Sequence, residues 1–270
     1  MRLFASAVAV LAAALAVPVH ADEPVPSSCG LHPVHVVRPG CVPALTSEVR
    51  EPGITLPNLV PNVADAYIVG FQGVTPTMFF DTHAQNLGAV PLQLSFSGIE
   101  NPETFKASQC VSWTAGRVCR DQREVGGFSW HEPHAHFHYN GFADYQLRRL
   151  APDGRPDYSD AGLVARSEKV SFCLMDSRKV GSAGSPAPFY LTCTPTVVGI
   201  SPGWTDVYAP TQPGQQLPLG GVTDGRYALI VSVDYANRLY ETDDTDNVVE
   251  VTIDISNGVR DLAIVGHHYP

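Results

Sequence analysis

Four of the ten histidines of this 270-residue chain fall within eight consecutive positions, in the run Trp130-His131-Glu132-Pro133-His134-Ala135-His136-Phe137-His138-Tyr139. In an extended chain, positions i, i+2 and i+4 share a face. His134, His136 and His138 then stand together, with Ala135 and Phe137 behind them. Neutral imidazole is a common ligand of transition metals, and on ligand type alone the ion could be copper, zinc, nickel or non-haem iron. Same-face neighbours on a strand are ~7 Å apart, so two of the histidines share an ion readily. The outer two are ~13 Å apart and meet at one ion only if the backbone curls, which Pro133 and Asn140-Gly141 would permit. Without a metal, the run is a part-exposed strand whose imidazoles repel when charged.

A second grouping follows Arg238. Oxygen ligands are dense over the seven residues 241–247, the type of donor that a hard cation such as calcium prefers. An acidic turn between two strands has the same composition, and the residues alone leave the two readings open.

Elements must position these groups, and the texture of the chain is that of strands. From Leu56 onward, short runs rich in Val, Ile, Phe and Tyr alternate with Gly, Pro, Asn and Asp. Residues 66–71, 77–82, 91–96, 142–148, 169–174, 226–233 and 248–255 are expected strands, the last two most clearly because β-branched residues dominate them. No helix of ten or more residues is expected outside the N-terminus. The expected fold is mainly β, a β-sandwich with long loops. Residues 56–270 read as one catalytic β domain and 22–55 as a Pro/Gly-rich arm. Residues 1–21 read as a cleaved signal peptide, with Arg2 before a ~15-residue apolar run and Val19-His20-Ala21 as the cleavage site. That run is short for a membrane span of ~20 residues, so a secreted or periplasmic protein with no stable membrane anchor is expected.

The cysteines agree with export. Cys29, Cys41, Cys110, Cys119, Cys173 and Cys193 are even in number and show no CxxC spacing. The expected pairing is sequential, Cys29–Cys41, Cys110–Cys119 and Cys173–Cys193, in which each pair closes a short loop. The formal charge of −10 argues against a nucleic-acid partner. It would concentrate cationic substrates such as amines, or serve solubility alone.

The segment HEPHAHFHYNGFADYQL resembles the copper-binding segment of the lysyl oxidase family of copper amine oxidases, especially its bacterial members. The similarity runs over about 56–268. It implies that His134, His136 and His138 hold copper, with His131 as a further histidine behind them. Glu168-Lys169-Val170-Ser171-Phe172-Cys173-Leu174 resembles the strand that carries the family's cofactor lysine. Gly199-Ile200-Ser201-Pro202-Gly203-Trp204-Thr205-Asp206-Val207-Tyr208 resembles the segment ending in its cofactor tyrosine. The resemblance implies a lysine tyrosylquinone formed from Lys169 and Tyr208, and Asp206 as the catalytic base, with His267 or His268 as alternatives. It also implies calcium at Glu241, Asp243, Asp246 and Asn247 together with Asn58 and Leu59. Pro133 stands where animal members have a disulfide cysteine, which leaves Cys193 to pair with Cys173. Cys110 and Cys119 lie in an insertion.

The implied activity is oxidative deamination of primary amines, peptidyl lysine or small amines, with dioxygen as oxidant and aldehyde, ammonia and hydrogen peroxide as products. Two other classes fit the histidines. One is a non-catalytic extracellular copper-binding β-sandwich. The other is a zinc hydrolase with Glu132 as base, which has no second motif to support it.

Overall fold

Runs of alternating β-branched and polar residues become strands when a neighbour can bury their apolar face. A computed structural model describes residues 54–71, 73–99, 104–113, 118–131, 136–193 and 197–270. The strands are β1 (Leu59–Asn62), β2 (Ala66–Val69), β3 (Thr77–Phe80), β4 (Thr82–Asn86), β5 (Leu92–Ile99), β6 (Thr104–Trp113), β7 (Cys119–His131) and β8 (His136–Arg149). They continue with β9 (Leu163–Phe172), β10 (Arg178–Lys179), β11 (Val197–Ile200), β12 (Trp204–Tyr208), β13 (Gln216–Pro218), β14 (Gly225–Val233), β15 (Val248–Ser256) and β16 (Asp261–His268). The one helical element among the described residues is the 3-10 turn Asp160–Gly162. The fold is mainly β, as expected.

The strands form three antiparallel sheets that share one core. The largest runs β11-β5-β6-β7-β8-β14-β15-β16, with β9 also on β8. The others run β1-β4-β12-β10 and β13-β3-β2. Register explains the core. Leu229 and Val231 of β14 stand opposite Val251 and Val249 of β15, and opposite Leu147 and Tyr145 of β8. All six are buried, and Met78, Phe80, Ala84, Tyr208 and Leu217 from the two smaller sheets close over them. Each large aliphatic side chain buried there contributes ~1.5–3 kcal/mol relative to exposure.

One ring of hydrogen bonds joins the sheets at the core. Gln215 Nε2 donates to Tyr145 Oη (3.0 Å), and Thr82 Oγ1 donates to Gln215 Oε1 (2.8 Å). Thr82 Oγ1 and Tyr145 Oη are 3.1 Å apart, so the ring closes when the phenol donates to the threonine. Thr82 belongs to β4, Tyr145 to β8, and Gln215 immediately precedes β13. Every polar atom of this buried ring therefore has a partner, as burial requires.

Strand β8 is the hub for the site. It pairs with β7, β9 and β14, and its pairing with β9 slips between Asn140 and Ala143. Gly141 sits in that bulge with φ 70°, a left-handed conformation that glycine adopts without a Cβ clash. Asn140-Gly141 is thus where the chain bends just beyond the histidines.

Candidate metal and cofactor centre

His136 and His138 lie at the start of β8, opposite His131 and Ser129 of β7. Alternation puts both rings on one face, and their Nε2 atoms converge to 2.7 Å. Two nitrogens each ~2.0 Å from one ion are ~2.8–3.3 Å apart at ordinary bond angles, so a slight opening of the pair would let it share a transition metal. His138 is buried and His136 half-buried. His134, Glu132 and Pro133 lie outside the described residues, as do the expected signal peptide and Cys29–Cys41.

Cys173 follows β9 directly and is bonded to Cys193. Their sulfurs and a ring nitrogen of His136 lie within 4.8 Å of one another. The backbone of Cys173 also touches the other half of the centre: Tyr208 Oη donates to the Cys173 carbonyl at 2.8 Å. Tyr208 ends β12 and is 8% exposed. Burial, reinforced by the Asp206 carboxylate, holds its phenol well above the ordinary tyrosine range. Asp206 is two residues earlier on the same strand, hence on the same face, and is 1% exposed. Its Oδ1 accepts a bond from Ser177 Oγ at 3.1 Å. Lys169 lies four residues before Cys173 on β9 and stands opposite Ala143 of β8. The histidine strand, the lysine strand and the tyrosine strand therefore meet at Cys173.

Two local devices seat β12. Gly203, with φ 73°, packs where a Cβ would collide with the Ala183 carbonyl oxygen, so the turn Ser201-Pro202-Gly203 requires glycine. Asp176 fastens the disulfide loop beside it. Its Oδ2 accepts the Phe189 and Tyr190 N–H groups (2.7 and 3.2 Å), and its Oδ1 accepts the Ser201 N–H (2.7 Å). Asp176 carries no local sequence signal, because its three partners are 13 to 25 residues away.

His267 and His268 lie on β16, apart from the histidine strand β8. β16 is three strands from β8, ~14 Å at ordinary strand spacing. His267 Nε2 bonds the Val63 carbonyl at 2.6 Å, and His268 is exposed.

The acidic turn after Leu239 does gather its distant partners. Asn58 Nδ2 donates to Asp246 Oδ2 (2.8 Å), and the Asp243 N–H donates to Asn58 Oδ1 (3.0 Å). The Leu59 N–H donates to Glu241 Oε2 (2.5 Å), and Asn247 Nδ2 to Glu241 Oε1 (3.0 Å). Asp246 Oδ1, Asn247 Oδ1 and Asp244 Oδ1 are buried and accept no hydrogen bond. Burial and the neighbouring Asp234 and Asp244 push Glu241 well above the carboxylate range. Asp244 itself is pushed up to about 7 by burial and by Asp243 and Asp246. Asp234 and Asp244 were not singled out in the sequence, although Asp244 lies inside the acidic run.

The described residues thus place two convergent histidines, a buried tyrosine and a buried aspartate on strands that meet at Cys173. Residues 102–263 match the lysyl oxidase family, and the chain belongs to that family. Among curated relatives it is 31% identical to protein-lysine 6-oxidase of Homo sapiens over 142 residues, 52% of this chain and 29% of that protein. It is 30% identical to protein-lysine 6-oxidase of Sus scrofa over 142 residues, 52% of this chain and 49% of that protein. Lysyl oxidase homolog 1 of Homo sapiens is 33% identical over 128 residues, 47% of this chain and 20% of that protein. The chain thus spans under half the length of each of these relatives.

Proposed function

We propose that this chain is an exported copper-dependent amine oxidase that deaminates primary amines, peptidyl lysine or small amines, with dioxygen as the oxidant. The products are aldehyde, ammonia and hydrogen peroxide. The observation that carries the reading is the junction at Cys173. It brings a buried tyrosine, the end of the Lys169 strand and the convergent pair His136 and His138 to one point. His134, His136 and His138 would hold copper, with His131 behind them, and Lys169 and Tyr208 would be joined as a lysine tyrosylquinone. Copper and the quinone together supply the two-electron oxidation of the amine and the return of those electrons to dioxygen.

The chain's own residues have definite tasks. The Asp206 carboxylate, on the face of β12 that bears Tyr208, takes the proton from the substrate's α-carbon. Ser177 orients that carboxylate by donating to its Oδ1. Tyr208 is buried as part of the hydrophobic core, which limits water at its ring. Export is supported by family membership and by the disulfides Cys110–Cys119 and Cys173–Cys193. Among the described residues, no helix is long and apolar enough to cross a membrane.

The acidic site is proposed to hold calcium through Asn58, Glu241, Asp243, Asp246 and Asn247. The buried, unpartnered oxygens of Asp246, Asn247 and Asp244 support this, because a buried acceptor without a donor is costly and a cation satisfies several at once. Leu59 would offer its backbone carbonyl oxygen, and its N–H already ties Glu241.

The test is peptide mapping of chain produced with copper, together with peroxide release over a panel of amines. A cross-linked Lys169–Tyr208 peptide and amine-dependent peroxide support the reading. Intact, separate Lys169 and Tyr208 peptides in a copper-loaded chain would leave a non-catalytic copper protein instead.

A further inference from the structure

The disulfide at the junction has a chemistry of its own. His136, Cys173 and Cys193 each offer one ligand atom, all within 4.8 Å of one another, and they are the one such grouping among the described residues. While the sulfurs are bonded to each other, neither is a thiolate ligand. Reduction changes this: a dithiol reductant gives two electrons and two protons, its own thiols become a disulfide, and Cys173 and Cys193 become two thiols. Thiolate and imidazole donors suit copper(I), and the harder oxygen-binding cations do not compete for them.

We propose that, with Cys173–Cys193 reduced, Cys173, Cys193 and His136 form a binding site for copper(I), and that closing the disulfide abolishes it. The proposal goes beyond the amine oxidase reading, and the one metal ligand common to both is His136.

Three features support the site. The first is span. Around one ion with bonds of ~2.0–2.3 Å, ligand atoms in a plane are ~4 Å apart, so the observed spacing needs only side-chain rotation. The second is that the thiols stay in place without their bond. Asp176 holds Phe189, Tyr190 and Ser201 through three backbone N–H groups, and its own N–H donates to the Tyr190 carbonyl at 2.7 Å. Tyr190 Oη in turn donates to Gln93 at 3.0 Å. Both flanks of the loop are thus fixed independently of the disulfide. The third is access: Cys193 and His136 are half-buried, while Cys173 forms the floor at 5% exposure. When dioxygen reoxidises the pair, two thiols become one disulfide and dioxygen becomes hydrogen peroxide. Both sulfur ligands are then lost, and His136 and His138 remain.

The test uses the full chain with Cys29, Cys41, Cys110 and Cys119 changed to serine, so that the remaining thiols are Cys173 and Cys193. Copper(I) is titrated anaerobically against a chromophoric copper(I) chelator. The reduced chain is expected to withdraw one copper(I), and the oxidised chain to leave it with the chelator. His136→Gln in the reduced chain weakens binding by about tenfold or more, ~1.4 kcal/mol or more. Equal affinity in the two redox states overturns the proposal. If the serine background does not fold, the unaltered chain is reduced and alkylated with and without copper(I), and its peptides are mapped. Protection of Cys173 and Cys193 beyond that of Cys110 and Cys119 supports the site, and no greater protection overturns it. Amine-dependent peroxide release is measured separately on the oxidised, copper(II)-loaded chain. A chain that fails that assay but binds copper(I) as described overturns the oxidase reading alone, and the converse result overturns this one alone.

Discussion

Asp176→Ala is expected to be among the most damaging single changes in the chain. The side chain is 4% exposed and accepts three backbone N–H groups. The N–H groups of Tyr190 and Ser201 are buried with those residues, whereas Phe189 is exposed and its N–H can turn to water. Two stranded buried donors at ~1–3 kcal/mol each give a loss of about 4 kcal/mol. For a domain of this size, each kcal/mol lowers Tm by ~2–4 °C, so a fall of about 8–16 °C is expected in calorimetry of the full chain. Asp176→Asn keeps one acceptor and should lose about half as much. Opening the 20-residue loop by reducing Cys173–Cys193 costs ~3 kcal/mol by chain entropy, so the carboxylate should matter at least as much as the disulfide. Tryptic cleavage after Arg178 and Lys179, which lie inside the loop, should accelerate in the Ala variant. A Tm within ~2 °C of wild type, with unchanged cleavage, would refute the view that Asp176 holds the loop.

Tyr208→Phe should abolish both the cross-linked peptide and peroxide release while leaving copper stoichiometry intact. The orphaned Cys173 carbonyl should cost about 1 kcal/mol in thermal unfolding. His138→Ala should remove bound copper as read by metal analysis, since His138 and His136 converge on one point. Calcium chelation should lower Tm and excess calcium restore it, by ~2.7 kcal/mol at 100 times Kd, and Glu241→Ala should erase that difference. Asp81 supplies a pH test. Burial acts upward on its pKa, but bonds from His83 and from the Asp65 and Ala64 N–H groups outweigh it and hold the carboxyl below its usual range. A depressed carboxyl stabilises fully above its unfolded pKa of ~3.9, and that stability fades as pH falls through the folded value. The Tm gap between wild type and Asp81→Asn should therefore be wide at neutral pH and should narrow as pH falls from ~3.9 through the lower folded value.

The chemistry was legible in the sequence where it is local. His136 and His138 converge because they are two residues apart on a strand, and Asp206 shares a face with Tyr208 for the same reason. β14 was legible because both its faces are buried and select a continuous run of Ala, Leu, Ile and Val, and β15 because its Val and Ile alternate with polar residues. β6 and β7 were not. Runs such as Cys119-Arg-Asp-Gln-Arg-Glu lack β-propensity, and they are strands because they pair with each other across the Cys110–Cys119 bond. β16 also escaped notice, because its residues alternate only between half-buried and exposed. The Thr82–Gln215–Tyr145 ring and the Asp176 clasp join residues from distant parts of the chain, and no spacing rule reaches that far.

That ring has a mechanical consequence. Three sheets that share one closed loop of buried hydrogen bonds are located against each other as a part is located by three pins. Sliding any one sheet strands at least two buried polar atoms at ~1–3 kcal/mol each. The frame therefore has one setting, and the strand that ends in Tyr208 keeps a constant offset from the strand of the histidines. Any gap that admits a bulky amine must come from the connections between strands, with the sheets themselves standing still.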